Sequence, residues 1–105
     1  MNKIIEVKVT QTDIDKGKPG LPKKCAISRA IQRRIHAKRF KKEVSVCGEG
    51  GVSVGEITDY YSYNLLFRMK PMNEKENERV KKFIYNFDEG KKVKPTTFKF
   101  KVEDI

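Results

Sequence analysis

Few residues in this 105-residue chain have the means to make or break bonds: one histidine (His36), two cysteines (Cys25 and Cys47) and the carboxylate pair Asp13 and Asp15. A nucleophile needs a base beside it, and the base needs an orienting partner; no such set assembles in the sequence. His36 falls on the polar side of a basic amphipathic segment, where a solvent-facing position is the default. Asp13 and Asp15 lie in the turn-like stretch Thr10–Gly17. Carboxylates there order the turn, and Thr10 or Thr12 is the candidate cap of one helical turn. With no CxxC and a single histidine there is no tetrahedral zinc set. Both cysteines read as small buried hydrophobes in a reducing compartment. Gly48-Glu49-Gly50-Gly51 lacks the GK[ST] ending of a phosphate loop and sits between two strand-like runs, so it reads as a hairpin turn. The expectation is a non-enzymatic protein with no catalytic residues, no metal and no cofactor.

Charge is where the chain is unusual. Residues 16–42 hold eleven of its 24 basic residues and none of its 14 acidic ones, so the rest of the chain is nearly neutral and the +10 belongs to this segment. A helix charged for solubility alone mixes signs into i,i+4 pairs, as Glu74, Glu76, Glu78, Arg79, Lys81 and Lys82 do. The 16–42 segment does not. A concentrated positive field holds polyanions through counterion release. The candidate binding residues are Lys23, Lys24, Arg29, Arg33, Arg34, Lys38, Arg39, Lys41 and Lys42. Three partners fit: a nucleic-acid backbone gripped at its phosphates, a smaller phosphorylated or cyclic nucleotide held also by a helix N-terminus, or an acidic protein surface. A membrane is excluded by the absence of any apolar run near ~18 residues, and because the apolar stripe beside these cations is needed for the core. The N-terminus lacks a signal peptide's apolar stretch, so a cytoplasmic location is expected.

Periodicity supplies the elements that position these residues. Ile5, Val7 and Val9 alternate with polar neighbours as a half-buried strand. Lys18-Pro19-Gly20-Leu21-Pro22 is a loop, and Pro22 is placed to open a helix. That helix runs from about Lys23 to His36 or Lys38. Ile27, Ala30, Ile31 and Ile35 form its apolar face, Arg29, Arg33 and His36 lie opposite, and Lys24 and Arg34 are at the flanks. Arg34 and Lys38 project near the apolar stripe, where their stems can run along the core. Glu43–Cys47 and Val52–Val54 make a hairpin. Tyr61, Tyr63, Leu65, Phe67 and Met69 share one face of an aromatic, central strand, which turns Tyr61 and Tyr63 toward the core and leaves Tyr60 open for stacking beside Arg68. A second helix spans Asn73 to Asp88, with Asn73 and Glu76 at capping-box spacing, Val80, Phe83, Ile84 and Phe87 as its buried stripe, and Gly90 at its left-handed end. Phe98, Phe100 and Val102 alternate in a closing strand after Pro95.

The order β-α-β-β-β-α-β in one domain, residues 1–105, predicts an α+β two-layer sandwich: a mostly antiparallel sheet with two helices on one face. The other face, with Lys8, Arg68, Lys99 and Lys101, is open. An exposed edge strand, the first or the last, would support a homodimer; otherwise the chain is a monomer.

The stretch Val9-Thr10-Gln11-Thr12-Asp13-Ile14-Asp15-Lys16-Gly17, then Cys25-Ala26-Ile27 opening a helix, resembles a family of small bacteriophage and prophage proteins. Phe83-Ile84, Phe87-Asp88-Glu89-Gly90-Lys91, Val93-Lys94-Pro95 and Phe98-Lys99-Phe100 agree with that family's closing helix and strand. Those relatives often carry proline after the cysteine, where this chain has Ala26. The resemblance implies phage origin, a place in the host cytoplasm and a binder of host molecules; it supplies no catalytic or binding residues. The leading expectation is therefore a basic protein that binds nucleic acid or another phosphate-rich ligand. The alternative is a host-takeover or anti-defence protein that docks on a host protein.

Overall fold

Alternation along the first strand becomes burial on one side only: Ile5, Val7 and Val9 are buried while Ile4, Glu6 and Lys8 are exposed. A computed structural model of the chain describes residues 3–37, 42–57 and 63–104. Its elements are β1 (Lys3–Val9), α1 (Gln11–Lys16), α2 (Ala26–Arg34), β2 (Lys42–Val46), β3 (Val52–Ile57), β4 (Tyr63–Pro71), α3 (Glu74–Asp88) and β5 (Thr96–Asp104). The strands form one antiparallel sheet in the order β1-β5-β4-β3-β2. This is the predicted α+β order, with α1 as the single capped turn. Aromatic β4 is central, and the last strand lies between β1 and β4, so the edges are β1 and β2 rather than β1 and β5.

The core lies between the sheet and the long helices. Ile27 and Ile31 of α2 and Val80, Phe83 and Phe87 of α3 pack over Val7, Val44, Val54, Met69, Phe98 and Phe100. Phe83 meets Phe98 edge-on with centroids 5.5 Å apart, a favoured aromatic geometry. The β2–β3 hairpin pairs Val46 with Val52 about the glycine turn, as expected. The β3–β4 register shifts at Val54/Gly55. Val54 opposes Phe67 and Gly55 opposes Leu65, so Leu66 is the extra residue of a bulge that the alternation did not reveal.

The first long helix is shorter than its periodicity suggested. Residues 21–24 turn instead, with Lys24 N–H donating to the Leu21 carbonyl. Cys25 is the N-cap, its sulfur accepting from Ser28 N–H at 3.4 Å. At the other end His36 adopts φ 55°. Its N–H reaches the Arg33 carbonyl, and Ala37 N–H reaches the Gln32 carbonyl. Those are the two bonds of a Schellman motif, with histidine in the place glycine usually takes. α3 ends in the same way, with Gly90 at φ 74° and Lys91 N–H on the Asn86 carbonyl. His36 is therefore an exposed stop signal, and not a residue on the helix's polar side.

α2 contacts both sheet edges, because the sheet curls until β1 and β2 flank the same helix. No helix among the described residues is long and apolar enough to cross a membrane.

Candidate anion-binding surface

The cations of α2 and its approaches meet the fold at three places. The first is Asp13, which has no solvent exposure. It is the third residue of α1 and closes a reciprocal capping box, its carboxylate accepting from Thr10 N–H at 2.9 Å while Thr10 Oγ1 accepts from Asp13 N–H at 3.2 Å. Arg33 adds a forked pair, donating to the two carboxylate oxygens at 2.7 and 2.8 Å. Arg29 Nε stands 3.8 Å away, buried and without a hydrogen bond of its own among the described residues. Burial alone would raise the Asp13 pKa, but the bonds from Arg33 and Thr10 outweigh it and hold the carboxyl below its usual range. Asp13 thus orders its turn and pins α2 to α1.

The second place is the free edge of β1. The Lys8 carbonyl accepts from Arg33 at 2.8 Å and the Glu6 carbonyl from Arg34 at 3.2 Å. Alternate carbonyls of an edge strand face outward in one row, and here two guanidinium groups occupy that row. The third is the free edge of β2. The buried Ser28 hydroxyl reaches the Val44 carbonyl at 3.0 Å, Val46 N–H donates to the Pro22 carbonyl and Lys42 N–H to the Ala37 carbonyl. Lys23 pairs with Glu43 of the same strand. α2 and its flanks therefore cover part of both edges, at Glu6 and Lys8 of β1 and at Lys42, Val44 and Val46 of β2.

Of the nine residues singled out in the sequence, Arg29, Arg33, Arg34 and Lys23 are engaged within the fold. Lys24 is exposed in the loop before α2, beside Lys16 and Lys18. Lys42 is half-buried and also has a partner. Lys38, Arg39 and Lys41 lie outside the described residues, as do Tyr60 and Tyr61. Arg33 and Arg34 therefore turn to backbone carbonyls of β1. Lys16, Lys18 and Lys24 stay exposed.

Cys25 is buried as expected, and burial pushes its thiol pKa up. Cys47 is exposed instead, because it follows the last ladder residue of β2. No three His, Cys, Asp or Glu side chains among the described residues come together as a metal-holding group.

A second cationic cluster escaped the sequence reading. Arg79, Lys82, Lys92 and Lys94 line one groove beside α3. Summed over the C-terminal half these charges are cancelled by Glu74, Glu76, Glu78, Asp88 and Glu89, so net charge hid them. Arg79 and Lys82 lie three apart in the middle of α3, and Lys92 and Lys94 follow its end, so only the fold brings the four together.

Nothing among known protein families, curated proteins or solved structures matches this chain.

Proposed function

We propose that this protein is a non-enzymatic binder of nucleic acid or another phosphate-rich ligand, acting in the cytoplasm, and in the host cytoplasm as a phage-encoded protein. One observation carries the reading. Segment 16–42 has no acid of its own, and where α2 uses its cations internally, Lys16 at the end of α1 and Lys18 and Lys24 in the loop that follows stay exposed, with no salt bridge among the described residues. A carboxylate such as Asp13 or Glu43 folded against the segment does not change the molecule's formal charge of +10. Such a surface contacts phosphates and carries no sequence code of its own.

The test is fluorescence anisotropy with labelled single- and double-stranded DNA and RNA at about 50 and about 200 mM salt, the range over which phosphate-driven affinity collapses. The expected result is micromolar binding at the lower salt that falls by about one and a half orders of magnitude at the higher, at about 0.9 in slope for each of three phosphate contacts, and that Lys16→Glu/Lys18→Glu/Lys24→Glu abolishes for duplex. Arg33 is a poor probe, because its loss strands buried Asp13. Absence of binding at the lower salt overturns the proposal. Docking on a host protein, which the phage resemblance implies, would then be pursued by pull-down from host lysate.

A further inference from the structure

α3 carries a cationic surface that owes nothing to segment 16–42. A groove of about 350 Å³ runs between this helix and the approach to β5. Arg79 and Lys82 from the helix and Lys92 and Lys94 from the approach form its rim, and no carboxylate among the described residues lines it. Its floor is apolar, including Phe83 and Val93. A second groove, of about 520 Å³, is lined by Glu78, Arg79, Lys81, Lys82 and Tyr85. Arg79 and Lys82 are thus the ridge between two hollows.

Two flat groups are held in place on this surface. The Arg79 guanidinium sits 5.1 Å from the Phe98 ring centroid and is fixed by Glu76 Oε1 at 2.6 Å and Thr96 Oγ1 at 2.8 Å, yet its side chain stays 41% exposed. Tyr85 is 58% exposed, with the Lys91 ammonium 5.1 Å from its ring centroid. Glu76 pairs with Arg79, which leaves Arg79 a plane more than a cation; Lys82, Lys92 and Lys94 make no salt bridge among the described residues, and Glu78 shares only the second groove with Lys82. Planes set among lysines match a ligand that alternates bases with phosphates. Guanidinium and tyrosine faces stack on bases that are not already paired. A duplex hides those faces, and an acidic peptide has none to offer.

We infer that the Arg79–Lys82 ridge and Tyr85 bind single-stranded nucleic acid, with bases stacking on Tyr85 and Arg79 and phosphates resting against Lys82, Lys92 and Lys94. This deepens the nucleic-acid reading but uses none of its residues, so the two fail separately.

The experiment titrates the full chain into a labelled oligothymidylate and, separately, a duplex, at several salt concentrations. Tyr85→Ala is expected to weaken single-strand binding about tenfold, in the range of one lost stack, without changing the salt slope, because it removes no cation. Lys82→Ala/Lys92→Ala is expected to lower that slope by about 1.4, at about 0.7 per phosphate contact on single strands. Both changes are at exposed side chains, and unchanged thermal melts verify that the fold is intact. Single-strand affinity and slope unmoved by these variants overturn the inference. So does polyglutamate that displaces the strand as well as unlabelled oligothymidylate does. If Lys16→Glu/Lys18→Glu/Lys24→Glu removes all binding while Tyr85→Ala is silent, the α3 site falls alone. If only the α3 variants lose single-strand binding and the Lys16→Glu/Lys18→Glu/Lys24→Glu variant keeps its duplex binding, this site stands and the loop surface falls.

Discussion

Replacing either partner of the Asp13–Arg33 pair should destabilise the fold, but by unequal amounts. Removing one member of a buried ion pair costs about 3–5 kcal/mol, most of it from the charge left behind. Here the two charges are left in different surroundings. Asp13 has no solvent exposure, whereas the Arg33 side chain is 51% exposed. In Asp13→Asn, the orphaned guanidinium rehydrates and keeps its bond to the Lys8 carbonyl, so a loss of about 2 kcal/mol is expected, below the usual range for a buried pair. In Arg33→Met, a carboxylate stays buried with Arg29 Nε at 3.8 Å, and the expected loss is about 3–4 kcal/mol. The double variant should cost less than the two singles together by about 1.5 kcal/mol, since one interaction is removed only once. Urea unfolding with an unchanged slope reads all three. The pH dependence has a definite sign. The folded Asp13 pKa lies below its unfolded value of about 3.9. Its contribution is therefore full above about pH 4 and is lost as pH falls through the folded value. Asp13→Asn should flatten that acid limb. Additive single costs, or an acid limb as steep in Asp13→Asn as in the parent, would refute the pin.

Two further substitutions probe the local geometry. His36→Gly relieves a left-handed residue that carries a side chain and should stabilise the fold by about 0.5–1 kcal/mol, net of the entropy glycine adds to the unfolded chain; a lower melting temperature would contradict the Schellman assignment. Gly17→Ala should destabilise by about 2 kcal/mol in urea, as overpacking does. Its Cβ would lie 2.6 Å from the Asp13 carbonyl oxygen and 2.7 Å from Ala26 N, both backbone atoms with little room to yield.

What could be read from the sequence was whatever a local pattern encodes. Alternation located β1 and β5, the Asn73 and Gly90 signals bounded α3, and the glycine turn located the hairpin, because burial period and turn chemistry act over a few residues. What escaped was decided by distant partners. The start of α2 moved to Ala26, where the Lys23 carbonyl accepts from Gln32 Nε2 and the single Ser28 hydroxyl proton lies between the Lys23 and Val44 carbonyls. Its end at His36 is a conformation histidine does not announce. Glu76 has the spacing of a capping box, and Asn73 does cap its N–H, yet the Glu76 carboxylate turns to Lys99 N–H and Arg79. There it and Arg79, which meets the Thr97 carbonyl, cover the part of β5 that β4 does not reach.

The absence of acids from α2 has a cause in the fold itself, its seam with β1. Its neighbours across the seam with β1 are the outward carbonyls of Glu6 and Lys8, which are acceptors; a carboxylate facing them would have no donor to meet, whereas an arginine fork supplies several. Arg33 and Arg34 are basic because a sheet edge needs donors. That explanation does not extend to Lys16, Lys18 and Lys24, which are exposed and close no edge. Nor does it extend to Lys82, Lys92 and Lys94, which rim a groove with no carboxylate among its described lining. Cations that leave the fold's own acceptors satisfied and still cluster are the ones whose removal should change binding without changing stability.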